Sequence, residues 1–309
     1  MHRLVFMGTP RFGELILQAL IGRYEIVGVV TQPDREAGRG RKMTTSAVKA
    51  LALGHNLPVF QPSTLRGSEV VQQLQGLDSD VIVVAAYGKI LPNSILSLPR
   101  HACINVHASL LPRHRGAAPI PAAILAGDAQ TGVTIMLVES ELDAGPILSQ
   151  AAVTIGNDDT TASLTEKLGQ LGGQLLVDTL PRWLEGQITP QKQGESPTPY
   201  AGQLRREDGR IRWSEPAEQI ARRCRAFYPW PGAFARWEEK EVKVLRARPQ
   251  PVPTGGQTPG QVILFDGEVA VVTGEGLLML EELQLAGKRP LPAREFVRGQ
   301  RGFPGSLLE

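Results

Sequence analysis

Apolar residues in the first half of the chain follow two rhythms. Short strand-like stretches occur at Leu4–Met7, Ile26–Val30, Val59-Phe60, Asp80–Ala86 and Cys103–His107, and the fourth of them is continuously apolar after its first residue. Between them, apolar positions recur every three or four residues. The continuous run at Asp80–Ala86 reads as a strand buried on both faces of a parallel sheet, and the spaced pattern reads as amphipathic helices. The predicted helices are Pro10–Leu20, Ser46–Leu53, Val70–Leu77, Ala118–Ala126 and Thr161–Trp183. Thr9 is the expected cap of the first, with Pro10 in its opening turn. Gly169, Gly172 and Gly173 weaken the last. Val133–Val138 and Ile147–Ile155 add strands, while Gln32–Met43 reads as a polar loop. Alternating strands and helices predict an α/β fold, a Rossmann-like domain with a mostly parallel sheet over residues 1–186.

The texture then changes. Residues 187–204 are rich in Gln, Pro, Gly, Ser and Thr without periodicity, which predicts a linker. Residues 205–309 carry strand-like runs at Ala233–Trp237, Val242–Arg246, Gln261–Phe265, Val269–Thr273 and Leu277–Leu285. Asp266-Gly267 is a hairpin signal. Five short strands predict a small OB-like β-barrel.

Composition narrows the classes. Cys103 and Cys224 are the only cysteines in 309 residues and form no CxxC pair, against a disulfide scaffold or a cysteine-rich zinc site. No apolar run is long enough to cross a bilayer, and the N-terminal apolar stretch is too short for a secretory signal. The expectation is a reduced, cytoplasmic protein with no membrane association; no signal for oligomers leaves a monomer as the default. Residues 1–204 hold 16 Lys/Arg against 17 Asp/Glu, whereas residues 205–309 hold 17 against 14. The excess clusters at Arg222, Arg223 and Arg225, then at Lys288, Arg289, Arg294, Arg298 and Arg301. A polyanionic partner fits this asymmetry, and so does a mixed solvated surface.

Candidate chemistry sits at Asn105-Val106-His107. Side chains two apart on a strand share a face, so an amide and an imidazole project together while Ile104 and Val106 point away. The proline-terminated loop Ser109–Pro112 follows at once. A carboxylate, Asp143, lies in the turn Leu142-Asp143-Ala144-Gly145. Amide, imidazole and carboxylate suit acyl transfer without a covalent intermediate. Spacing alone does not bring Asp143 to His107, and the residue could equally cap its own turn. A zinc site through His101 fails on distance, since at about 3.3 Å per residue it lies roughly 20 Å from His107. The first βα turn, Gly8-Thr9-Pro10-Arg11-Phe12-Gly13, lacks the dinucleotide glycine spacing, and no phosphate loop occurs. The basic segment Gln32–Lys42 holds Arg35, Arg39, Arg41 and Lys42; the guanidinium groups of its arginines could grip phosphates, and a solvated surface loop is the alternative.

Taken together the motifs resemble the methionyl-tRNA formyltransferase family nearly end to end. The shared segments are Gly8-Thr9-Pro10, Gln32–Lys42, Ala86–Pro92, Asn105–Pro112, Arg115–Ile120, Thr131–Met136 and Leu142–Gly145. Arg225–Phe227, Pro229–Pro231, Thr273–Gly276 and Leu283-Gln284 continue the likeness. The chain departs from the family at Gly13, at Gln203 and at Arg212-Trp213. The resemblance implies formyl transfer from 10-formyltetrahydrofolate to the α-amine of initiator methionyl-tRNA, with no metal. It implies Asn105, His107 and Asp143 as catalytic residues. Folate contacts are implied at Ser109, Leu110, Leu111 and Pro112; Tyr87, Gly88, Ile90 and Leu91 could line an opposite wall. Arg39, Arg41 and Lys42 are the implied tRNA contacts. The catalytic set is shared with formyltransferases that act on sugar-nucleotide or other small amines, which remain the alternative. A non-enzymatic RNA-binding protein is the alternative of a different class.

Overall fold

The computed structural model describes residues 2–37, 42–196 and 199–309. The chain divides into two compact units. The first comprises residues 1–119, 130–154 and 163–202; the second comprises 120–129, 155–162 and 203–309.

In the first unit the elements run β1 (Arg3–Gly8), α1 (Arg11–Leu20), β2 (Glu25–Val30), β3 (Arg35–Ala37), β4 (Lys42–Thr44), α2 (Ala47–Gly54) and β5 (Val59–Phe60). They continue with α3 (Ser68–Gln75), β6 (Val81–Ala85), α4 (Asn93–Leu96) and β7 (Ala102–His107). After α5 (Pro119–Ala126), whose residues from 120 onward belong to the second unit, come β8 (Gln130–Leu137), β9 (Ile147–Thr154) and α6 (Thr161–Leu184). Seven strands form one sheet in the order β5-β2-β1-β6-β7-β8-β9. Pairing is parallel from β5 through β7, then antiparallel for β7–β8 and β8–β9. Every residue of β6 is buried, as expected for a strand covered on both faces.

The glycines of α6 do not break it. A Cβ on Gly172 would lie 3.0 to 3.2 Å from Ile16, Val106 and Val133, and one on Gly169 would meet Leu15 at 2.4 Å. Close packing against α1 and the sheet therefore selects glycine and outweighs its low helix propensity. The segment Gln32–Met43 differs from the expected loop: Arg35–Ala37 pairs antiparallel with Lys42–Thr44. Its base is fixed by Asp34, which accepts from Lys49 Nζ at 2.6 Å and Gln61 Nε2 at 2.9 Å.

The second unit holds α7 (Ala217–Ala226), β10 (Ala233–Trp237), β11 (Lys240–Gln250), β12 (Val262–Phe265), β13 (Glu268–Val272), β14 (Leu277–Leu285), β15 (Leu291–Pro292) and α8 (Ala293–Gly299). Its sheet is antiparallel, in the order β10-β11-β14-β13-β12 with β15 on β14. The C-terminal residues close it. Val262 N donates to Ser306 O at 2.9 Å on one side, and Arg236 N donates to Glu309 O at 2.7 Å on the other. Both exposed strand edges are thereby paired, and the sheet becomes the expected barrel. Inside, Trp237, Phe296 and Phe303 meet edge to face at 5.0 to 6.4 Å between ring centroids.

Candidate active site

Strand β7 sets the site. Its register opposes Asn105 to Val84 on β6 and to Met136 on β8, and His107 to Thr134. Cys103, Asn105 and His107 share one face. Val106, on the other, packs toward Gly172 of α6. Burial pushes the Cys103 thiol up to about 12, and its Sγ lies 3.8 to 3.9 Å from the Leu96 and Ile95 carbonyls. It therefore stays protonated and is no nucleophile.

The β8–β9 connection carries Asp143 back to this face. Asp143 Oδ1 accepts from Asn105 Nδ2 at 3.3 Å. Oδ2 accepts from the Gly116 backbone N–H at 2.9 Å and lies 3.7 Å from His107 Nδ1. The imidazole and carboxylate side chains are only 6% and 10% exposed. The carboxylate thus holds the amide and the imidazole together, where the sequence pattern suggested only the imidazole. Asn105 retains a second amide N–H.

The far edge of the His107 ring meets the His114 carbonyl, with Nε2 to O at 3.1 Å. A carbonyl only accepts, so Nε2 carries a proton. Asp143 has φ +52°, a left-handed conformation that Asp tolerates better than most residues. Gly145 is dictated by sterics, since a Cβ there would lie 2.0 Å from the Leu137 carbonyl oxygen.

The loop after β7 is held by its own polar groups. Ser109 Oγ donates to Arg113 O at 2.6 Å, and Thr134 Oγ1 donates to Ser109 O at 2.7 Å. Leu111 N donates to Thr134 Oγ1 at 3.1 Å, and Leu111 O accepts from Gln150 Nε2 at 2.9 Å. Ser109 and Leu111 are buried, while Leu110 and Pro112 are half-buried. Across the same end of the sheet, Tyr87 is 1% exposed and Leu91 is buried; Gly88 and Ile90 are exposed, Ile90 at 77%. Burial pushes the Tyr87 phenol up to about 12, so it stays neutral. Its carbonyl accepts from Gln32 Nε2 at 2.9 Å, which ties this loop to the root of the β3–β4 segment.

Arg39 and Arg41 lie outside the described residues, and Lys42 is placed only as the first residue of β4. The basic cluster on α7 is engaged internally. Arg222 pairs with Glu218, Arg223 pairs with Glu215 at 2.9 Å, and Arg225 donates to the Asp159 carbonyl at 3.0 Å. Burial also lowers the Arg225 pKa. Lys288, Arg289, Arg298 and Arg301 are exposed and, among the described residues, have no ion pair. Sequence reasoning did not single out Gln193. Its side chain donates to the Asp143 and Gly145 carbonyls at 2.9 and 2.7 Å. No local pattern marks it, because it sits in a polar stretch without periodicity.

Such a site can hold a carbonyl oxygen between an amide N–H and an imidazole while one carboxylate keeps both in place. Comparison with known proteins identifies the family. Residues 2–180 match the family described as formyl transferase, and residues 203–301 match its C-terminal domain. A methionyl-tRNA formyltransferase of Magnetococcus marinus is 49% identical over 308 residues, covering 99% of this chain and 98% of that protein. That of Roseiflexus castenholzii is 47% identical over 308 residues, with the same coverage of 99% and 98%. Among solved structures, the Helicobacter canadensis N-formyltransferase in complex with folinic acid and dTDP-3-aminofucose superposes with a TM-score of 0.65 at 16% identity, covering 91% of this chain and 98% of its own. HypX of Aquifex aeolicus in complex with tetrahydrofolic acid gives 0.63 at 18% identity, covering 96% of this chain and 47% of its own. These two share the fold. With both domains matched and relatives nearly half-identical from end to end, the chain belongs to the methionyl-tRNA formyltransferase family.

Proposed function

We propose that this chain transfers the formyl group of 10-formyltetrahydrofolate to the α-amine of initiator methionyl-tRNA, acting as a cytoplasmic monomer with Asn105, His107 and Asp143 as its catalytic residues. The observation that carries the mechanism is the double grip of Asp143 on Asn105 and on the His107 edge, at 3.3 and 3.7 Å.

Bound 10-formyltetrahydrofolate supplies an activated formyl carbonyl. A free α-amine titrates near ~8 and its ester lower, so a neutral nucleophile is present without a strong base. Attack places negative charge on the formyl oxygen. The free N–H of Asn105 donates to that oxygen. Nε2–H of His107 exchanges its His114 carbonyl partner for the same oxygen. Asp143 holds the Asn105 amide and the His107 edge in place while that exchange occurs. His107, or a water beside it, then moves the amine proton to N10 of the folate, and the oxyanion collapses to a carbonyl as the bond from the formyl carbon to N10 breaks, releasing tetrahydrofolate.

The donor fits a surface built from exposed Gly88 and Ile90 on one loop and half-buried Leu110 and Pro112 on the other. Tyr87, Leu91, Ser109 and Leu111 support that surface from beneath. Arg39, Arg41 and Lys42 contact the tRNA end. The unpaired lysine and arginines near α8 contribute phosphate contacts that weaken with salt.

Acceptors offered side by side test the reading. Methionyl-tRNA, a dTDP-amino sugar and glycinamide ribonucleotide are each incubated with labelled 10-formyltetrahydrofolate. Label should pass to methionyl-tRNA alone. Preferential transfer to either small amine would assign the site to the alternative, and transfer to none would support RNA binding without catalysis.

A further inference from the structure

Asp143 is gripped from a direction the mechanism above does not use. The segment carrying Gln193 reads in sequence as a linker, yet it lies across the Asp143 turn. One Gln193 amide nitrogen donates twice, to the Asp143 carbonyl at 2.9 Å and to the Gly145 carbonyl at 2.7 Å. The two carbonyls flank Ala144, so a single side chain staples both ends of the turn. Its Oε1 accepts from Arg115 Nε at 3.0 Å and Nη2 at 2.8 Å. Arg115 is 8% exposed, and Nη2 also donates to the Gly194 carbonyl at 3.0 Å. The planar guanidinium therefore fixes which way the Gln193 amide points. Neighbouring bonds hold the strap: Gln191 N donates to Ile147 O at 2.9 Å, Ser196 Oγ to Pro112 O at 2.7 Å and Ala201 N to Arg115 O at 2.7 Å.

We propose that Gln193 is a positioning residue for formyl transfer. It keeps the Asp143 turn in the conformation from which one carboxylate reaches Asn105, the His107 edge and Gly116 N–H together. The inference rests on the catalytic reading of Asp143. The need for a staple follows from the backbone. Asp143 sits at φ +52°, which an L residue leaves readily unless neighbouring bonds hold it. A carboxylate displaced by about 1 Å can cost on the order of 100-fold in rate. Gln193 itself touches no reacting atom.

Two substitutions separate positioning from bulk stability. Gln193→Glu keeps an acceptor for Arg115, loses both donations, and sets a carboxylate against two carbonyls. Gln193→Met keeps the length and removes every polar atom. Single-turnover formylation of methionyl-tRNA is measured at saturating donor, well below each melting temperature, with the dissociation constants of both substrates. Each variant should lose roughly 10- to 100-fold in rate, with both constants within about threefold of the parent. In an Asp143→Ala background the same substitutions should cost less than about threefold, because there is no longer a carboxylate to aim. If one variant does not fold, the other decides. Parent-like rates would overturn the inference, as would a loss confined to substrate affinity, or an equal loss in the Asp143→Ala background. Asp143→Ala with a parent-like rate would instead overturn the catalytic reading on which the inference depends.

Discussion

Replacing Asp143 by Asn probes the hub of the site with almost no change in shape. The carboxylate accepts from Asn105 Nδ2 at 3.3 Å and Gly116 N at 2.9 Å, and faces His107 Nδ1 at 3.7 Å. An amide offers one acceptor and one donor end. With its oxygen toward Gly116, its NH2 group opposes the Asn105 amide; reversed, it opposes the Gly116 N–H. One bond is lost either way. Hydrogen bonds to a charged group contribute roughly 1.5–3 kcal/mol each. For a protonated ring at an effective dielectric of about 20, the attraction across 3.7 Å adds at most about 4.5 kcal/mol. Part of each term is already present before reaction, so the expected loss from the transition state is about 3–5 kcal/mol, or roughly 10²- to 10⁴-fold. Single-turnover formylation with both substrates saturating reads this directly, and dissociation constants should stay within about threefold. A rate within threefold of the parent would refute the assignment of Asp143.

Three further outcomes are expected. Arg39→Ala should raise the KM for methionyl-tRNA about tenfold or more and leave donor affinity unchanged, as steady-state kinetics with each substrate varied will show. Gly145→Ala, whose Cβ would lie 2.0 Å from the Leu137 oxygen, should distort the Asp143 turn, lowering activity and costing about 2 kcal/mol or more in denaturant unfolding. Asp80 is held below its usual carboxylate range chiefly by the Arg3 backbone N–H at 2.8 Å, with Arg100 and His2 adding to it. A depressed carboxyl pKa stabilises the fold above the unfolded value near ~3.9, and that contribution is lost as pH falls through the folded value. Asp80→Asn should therefore cost about 1–2 kcal/mol at pH 7, and the difference from the parent should shrink in urea melts as pH falls below the unfolded value.

What could be read in advance follows from range. The buried parallel strands stood out because both faces of β6 need apolar side chains, and the Asn105/His107 pairing followed from the two-residue period of a strand. The meeting of Asp143 with that pair depends on the return of the chain between β8 and β9, which no local spacing encodes. The α7 arginines looked like a free basic patch because their partners Glu215, Glu218 and the Asp159 carbonyl are set by helix register and tertiary packing. Barrel closure by Ser306 and Glu309 escaped notice because that tail, broken by Gly302, Pro304 and Gly305, carries no strand pattern. Gln193 was hidden for a related reason: polar residues in an aperiodic stretch look alike until their partners are known.

In the proposed reaction two donors share the charge of one carbonyl oxygen. Single-turnover formylation by Asn105→Ala and by His107→Ala, with both substrate affinities measured alongside, tests that sharing most directly. Each variant should be slowed about 100- to 1000-fold or more while both affinities change by less than about threefold. Either variant reacting at the parent rate, or slowing only as far as weakened binding explains, would contradict it.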